Sequence, residues 1–188
     1  NAFRTDKTAF SDQLLENGRT DFYFSNKEDR GYINRLDFRV NSVLAKTEDH
    51  PQHIDIIKLL LPEPLAPGST IDISTPFHVK LPKNFSRGGH IGQSYQITQW
   101  YPKPAVYDHK GWHPMPYLDQ GEFYSEFGNY EVKITVPEKY VVLSSGVLQN
   151  EDEKKWLKER NSVIISKQPK IPNSKTKKVI VTNPVVSN

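Results

Sequence analysis

His109 and His113 stand four residues apart in Asp108-His109-Lys110-Gly111-Trp112-His113-Pro114, the spacing at which two imidazoles on one helical face share a zinc ion. Gly111 between them and Pro114 after them break any helix there, so the pair does not share a face. Asp108 to Gly111 reads instead as a type I turn, with Asp at the first position and Gly at the fourth. His50, His53, His78 and His90 have no partner at ligand spacing. Gly88-Gly89-His90-Ile91-Gly92 has the glycine density of a dinucleotide loop, but a strand-like stretch follows where a phosphate-binding helix must begin, so a hairpin turn is expected. Asp119, Glu122 and Glu126 offer carboxylates for glycoside hydrolysis, although nothing in their spacing sets the separation that reaction requires. Asn84-Phe85-Ser86 is a glycosylation sequon, meaningful only in a eukaryotic secretory setting. No Gly-x-Ser-x-Gly elbow, P-loop or His-Glu-x-x-His occurs. Residue types and spacing thus assign no catalytic residue and no metal ligand, and lead to a non-catalytic β-rich domain.

The elements that would position these residues are short and alternating. Fourteen prolines and ten glycines punctuate the 188 residues at the intervals of an all-β domain. Strands are expected at Tyr32 to Val40, His53 to Leu61, Ser69 to Leu81, Tyr95 to Gln99, Tyr130 to Val136 and Tyr140 to Ser144, with weaker ones at Val163 to Ser166 and Val179 to Thr182. Ser69 to Leu81 carries the clearest period-two pattern, and Pro76 places it at an edge or bulge. Two short helices are the exceptions. Ser11 to Glu16 has Ser11 as its cap and Asn17-Gly18 as its stop, and Glu151 to Arg160 has acids in its first turn and bases in its last.

Composition bounds the rest. Twenty-five Lys and Arg against 22 Asp and Glu, with no apolar run near 18 residues, exclude a helical membrane span. The absence of cysteine excludes disulfides, thiol nucleophiles and Cys-ligated metals. Residues 151 to 188 hold nine basic and four acidic side chains, a Lys/Pro/Ser-rich excess that reads as a solvated linker and not a nucleic-acid face. The expected organisation is therefore a folded domain over 1–150 and a short helix with a polar segment over 151–188. Met115 is the only methionine, so a chain starting at Asn1 reads as a piece cut from a longer protein, with a weak lean to export and no fixed compartment. Ten of the 21 aromatic residues lie between Tyr95 and Tyr130. They serve either to pack down a long proline-rich loop or to form a stacking surface or cleft wall.

Two stretches resemble the N-terminal domain of the aminopeptidase N family of zinc metallopeptidases, the gluzincins that include leukotriene hydrolase. The first is Leu61-Pro62-Glu63-Pro64-Leu65-Ala66-Pro67-Gly68-Ser69 between two strands. The second runs from Thr98-Gln99-Trp100-Tyr101-Pro102 through the aromatic loop to Phe127-Gly128-Asn129-Tyr130 and on to Val136-Pro137 and Leu143-Ser144-Ser145-Gly146. The resemblance spans roughly residues 32 to 150. It implies an antiparallel β-sandwich of saddle-like shape that caps a downstream catalytic domain in the same protein, where the zinc ion and its ligands reside. It also implies a missing upstream strand, and a substrate-binding role for Gln99, whose side-chain carbonyl would accept a hydrogen bond from the peptide substrate's amino terminus. Where several relatives place an acid, this chain has Tyr101, a neutral phenol that adds no negative charge toward an ammonium group.

Two other functions remain open. One is a carbohydrate-binding β-sandwich in which Trp100, Trp112 and Tyr117 stack on sugar faces. The other is the N-terminal domain of a peptidase relative whose downstream domain has lost its zinc ligands.

Overall fold

The computed structural model describes residues 1–121, 123–162 and 176–183. In chain order the elements are α1 (Ala9–Glu16), β1 (Tyr32–Asn34), β2 (Arg39–Val40), β3 (Val43–Leu44), β4 (Thr47–Asp49), β5 (Ile57–Leu59), β6 (Ile73–Ser74), β7 (His78–Lys80), β8 (Gly89–Ile91), β9 (Ser94–Gln96), β10 (Val106–Asp108), β11 (Gly111–His113), β12 (Tyr130–Pro137), β13 (Val147–Leu148), α2 (Glu151–Ser162) and β14 (Thr176–Asn183). Every strand pairing is antiparallel. The architecture is all-β with two short helices, as the turn spacing implied. Its strands form six small sheets, β1–β7, β4–β5, β8–β9, β10–β11, β3–β2–β6 and β12–β14–β13, and among the described residues these close no sandwich.

Several expected strands are shorter than their patterns, each for a local reason. The run from Tyr32 to Val40 breaks where Arg35 takes φ 60, leaving β1 and β2 in different sheets. Ser69 to Leu81 splits into β6 and β7 around Pro76, which has no N–H to give a ladder. Only Ile57–Leu59 survives of His53 to Leu61, because His50 Nδ1 accepts from the Gln52 and His53 amides at 3.2 and 3.1 Å and turns the chain there. Tyr140 to Ser144 forms no strand; Tyr140 N donates to Pro137 O in a turn, and pairing resumes at Val147. The expected strand at Val163 to Ser166 lies outside the described residues. Helix α1 begins two residues before the expected Ser11 start, with Thr8 as its cap accepting from Ser11 N at 3.3 Å.

The chain divides into two compact units, Asn1–Ser125 and Glu126–Asn188. The second unit includes β12, which pairs along its whole length with β14. The weak strand expected at Val179 to Thr182, within the segment otherwise read as a solvated linker, is present as β14 and forms the middle strand of its sheet.

In the first unit the core is aromatic and gathers around α1: Ala2, Phe10, Leu14, Phe22 and Phe85 are buried, with Phe3 and Tyr117 packed against them. Ring centroids of Phe3–Phe10, Phe10–Phe22 and Phe22–Phe85 lie 4.7, 5.1 and 5.1 Å apart in tilted or edge-on contact, the geometry favoured by aromatic quadrupoles. In the second unit, alternation sets Val132, Ile134 and Val136 of β12 on one face with Val181, Val179 and Lys177 of β14. Val179 and Val181 are buried, and α2 is tied to this face by Glu153, whose Oε1 meets Lys177 Nζ at 2.7 Å, while the same ammonium sits 3.9 Å from the Trp156 ring centre.

Candidate functional site

The expected substrate-binding residues lie on the segment that leaves the β8–β9 hairpin. Ile91 pairs with Ser94, so the loop is Gly92-Gln93, and Gly92 takes the left-handed φ of 56 that such a two-residue loop needs. Gly89 is required for a different reason: a Cβ there would lie 2.7 Å from the Lys83 carbonyl oxygen. Beyond β9 the chain is fastened on both sides of Gln99. Thr98 Oγ1 donates to Arg87 O at 3.0 Å, and the Trp100 ring lies 5.8 Å from Phe77. Between these anchors Gln99 is exposed with φ 50, a conformation uncommon outside glycine and worth noting where it stands beside candidate chemistry. Tyr101 is half-buried, its ring edge-on to Trp100 at 5.5 Å. Gln99 and Tyr101 are therefore neighbours on one anchored turn, with the amide presented outward and the phenol packed sideways.

A network that residue spacing does not reveal holds this region to the rest of its unit. Asp119, read above as a loose carboxylate, accepts from Ser86 Oγ at 2.8 Å and from Arg19 Nη1 at 3.4 Å, and its side chain is only 10% exposed. Arg19 also donates to Phe85 O at 2.6 Å, and Tyr117 donates its hydroxyl to Ser86 at 3.3 Å. Arg87 reaches the Leu118 and Gly121 carbonyls at 2.9 and 2.8 Å. Three segments distant in sequence, near residues 19, 86 and 119, thereby close on one another. Asp119 is structural, and the sequon hydroxyl of Ser86 is already engaged.

The aromatic residues divide into two sets. Tyr117 is half-buried and packs against the core, 5.0 Å from Phe3 and 5.5 Å from Phe10. Trp112 stands outward on β11 opposite Tyr107 of β10, the rings 4.9 Å apart and 64% and 65% exposed. On the other side of that hairpin Val106 is buried, and Asp108 Oδ1 lies 2.8 Å from His113 Nε2 and accepts from Lys110 N at 2.8 Å. These bonds hold the Asp108 carboxyl below its ordinary value, the His113 contact being the largest cause. His109 takes no part in that contact, as expected of a turn residue.

An open cleft of about 300 Å³ lies elsewhere in the first unit, walled by Leu36, Phe38, Leu44, Ile54 and Ile57 with Arg35 beside them. Neither Gln99 nor Tyr101 lines it. Its signal in the sequence is slight, since it opens where the left-handed Arg35 interrupts an otherwise plausible strand. Among the described residues no group of three or more histidine or acidic side chains could hold a metal ion. No described helix is long and apolar enough to cross a membrane. Compared with known proteins, the chain matches no family model, no curated protein and no solved structure at a significant level.

Proposed function

We propose that this chain is the non-catalytic N-terminal part of a zinc-dependent, aminopeptidase-like metallopeptidase, forming one wall of the substrate cleft and the surface that meets a catalytic domain downstream in the same protein. The reading rests on the sequence resemblance over residues 32 to 150, and the observation that supports it most directly is the Thr98-Gln99-Trp100-Tyr101-Pro102 turn. Gln99 is exposed and takes a left-handed backbone conformation between two anchored neighbours. An exposed primary amide can accept a hydrogen bond from a substrate ammonium, an interaction with a charged donor worth about 1.5 to 3 kcal/mol. Catalysis, and the zinc that activates water for it, would belong to the downstream domain. The coding frame beyond Asn188 tests this reading. Continuation into His-Glu-x-x-His and a later Glu supports it; a frame that ends, or continues without those ligands, overturns the peptidase activity.

One observation favours a second reading, a carbohydrate-binding module: the outward Tyr107 and Trp112 pair. Of the three residues expected to stack, Trp112 belongs to this pair, while Tyr117 is half-buried against the core. Quenching of tryptophan fluorescence by oligosaccharides, lost in Trp112→Ala, supports that reading, and unchanged fluorescence removes it.

A further inference from the structure

We propose that β12 is a self-complementary edge through which two copies of this chain pair antiparallel, about a two-fold axis at Val132. Among the described residues β12 has a single strand neighbour, β14, and no described strand pairs with its other side. Which backbone groups face that side follows from β14. Ile180 O accepts from Gln149 N at 2.9 Å and Ile180 N donates to Asn150 Oδ1 at 2.6 Å, so Ile180 turns its polar groups toward the β13 side. By alternation Val179 and Val181 turn theirs toward β12, where their register partners are Ile134 and Val132. Glu131, Lys133 and Thr135 therefore direct their N–H and C=O groups to the open edge. A free edge of this length is a template for another strand unless something blocks it.

Charge selects the register. A two-fold axis at Lys133 sets that lysine against itself, and one at Ile134 pairs Lys133 with Thr135 and leaves Glu131 without a counter-charge. With the axis at Val132, Glu131 of each copy lies opposite Lys133 of the other. Val132 then meets its own copy, and Tyr130 stands opposite Ile134. Glu131 and Lys133 are also the residues whose backbone groups face outward, so the same register satisfies the hydrogen-bond ladder. Their side chains already meet at 2.7 Å within one strand and remain 58% and 52% exposed. Pairing would place four alternating charges side by side on one face of the joined sheet.

Sedimentation equilibrium of the full chain over a range of concentrations tests the proposal. The expected result is a reversible monomer–dimer equilibrium in which Glu131→Lys or Lys133→Glu weakens the dimer about tenfold, as like charges then lie opposite each other twice. The double exchange E131K/K133E restores it, and a mixture of the two single variants forms a heterodimer. Circular dichroism confirms that each variant remains folded. A chain that stays monomeric, one that assembles into longer polymers, or a dimer indifferent to these charges overturns the proposal. In the monomeric case Glu131 and Lys133 act as guards of the edge, and in the indifferent case the interface lies on another surface.

Discussion

Left-handed backbone at Gln99 disfavours an L-residue by about 1 kcal/mol relative to glycine. Gln99→Gly is therefore expected to raise stability by about that amount in denaturant unfolding. Under the peptidase reading, the same variant and Gln99→Ala both raise KM for amino-terminal substrates about tenfold or more in the protein with its downstream domain, through loss of a bond to a charged donor. Stability and function thus move in opposite directions at one residue; a Gln99→Gly chain that gains nothing in stability removes the strain on which this rests. Asp119 behaves differently, being enclosed and bonded to Arg19 and Ser86. Asp119→Ala is expected to cost about 2 kcal/mol by thermal or denaturant unfolding, chiefly because Ser86 and Arg19 lose their acceptor. Asp108 governs a pH response. Its folded value is depressed by His113 and the Lys110 amide, so its stabilising effect is present above the ordinary carboxylate value, about pH 4, and is lost as pH falls through the lower folded value. Acid titration followed by the emission of Trp112 on the same hairpin is expected to show this transition, and Asp108→Asn to remove it.

At the level of elements, short strands depend on fastenings outside their own ladders. Helix α1 has eight residues, too few for stability by itself, and it persists because Phe10 and Leu14 enter the aromatic core while Thr8 caps its first turn. Thr8 also donates its hydroxyl to Ala2 O at 3.0 Å, joining the segment before the helix to its start. Thr8→Ala removes both bonds, with an expected loss of about 1 to 2 kcal/mol measured by thermal unfolding, and Thr8→Ser should recover most of it. Helix α1, the hairpin turn at Gly92, the turn at Asp108 to Gly111 and strand β12 were legible in the sequence, because each is specified within a few residues by a stop signal, turn glycines or strict alternation. Ser69 to Leu81 was legible only as a pattern. Its alternation is real, but Pro76 and the bond from Asp37 N to Thr75 Oγ1 at 2.9 Å divide it between two sheets.

For the whole molecule, the position of β14 is the decisive fact. Strand Thr176–Asn183 lies between β12 and β13, and its neighbours in sequence gave no reason to place it there. A chain ending at Asn150 keeps β12 and β13 but removes the strand that joins them. Its amide resonances for 130–137 and 147–148 are expected to collapse to coil positions in a heteronuclear NMR spectrum, while those of the aromatic core around Phe10 and Phe22 keep their dispersion. Retained strand shifts in 130–137 would show that the sheet does not require β14.

The all-β character, the two helices and the turn chemistry follow from the sequence alone, since period-two alternation, proline and glycine act over a few residues. Gln99 was expected to end a strand running from Tyr95, whereas β9 stops at Gln96 and Gln99 stands exposed in a left-handed bend. The packing of Tyr117 against the core, the bonding of Asp119 and the insertion of β14 were decided by tertiary structure. Each depends on segments tens of residues apart meeting in space: Phe3 and Phe10 with Tyr117, Arg19 and Ser86 with Asp119, Val132 with Val181. Local sequence preference carries no information about such meetings, because aromatic packing, ion pairing and strand register are settled only by which partner arrives opposite.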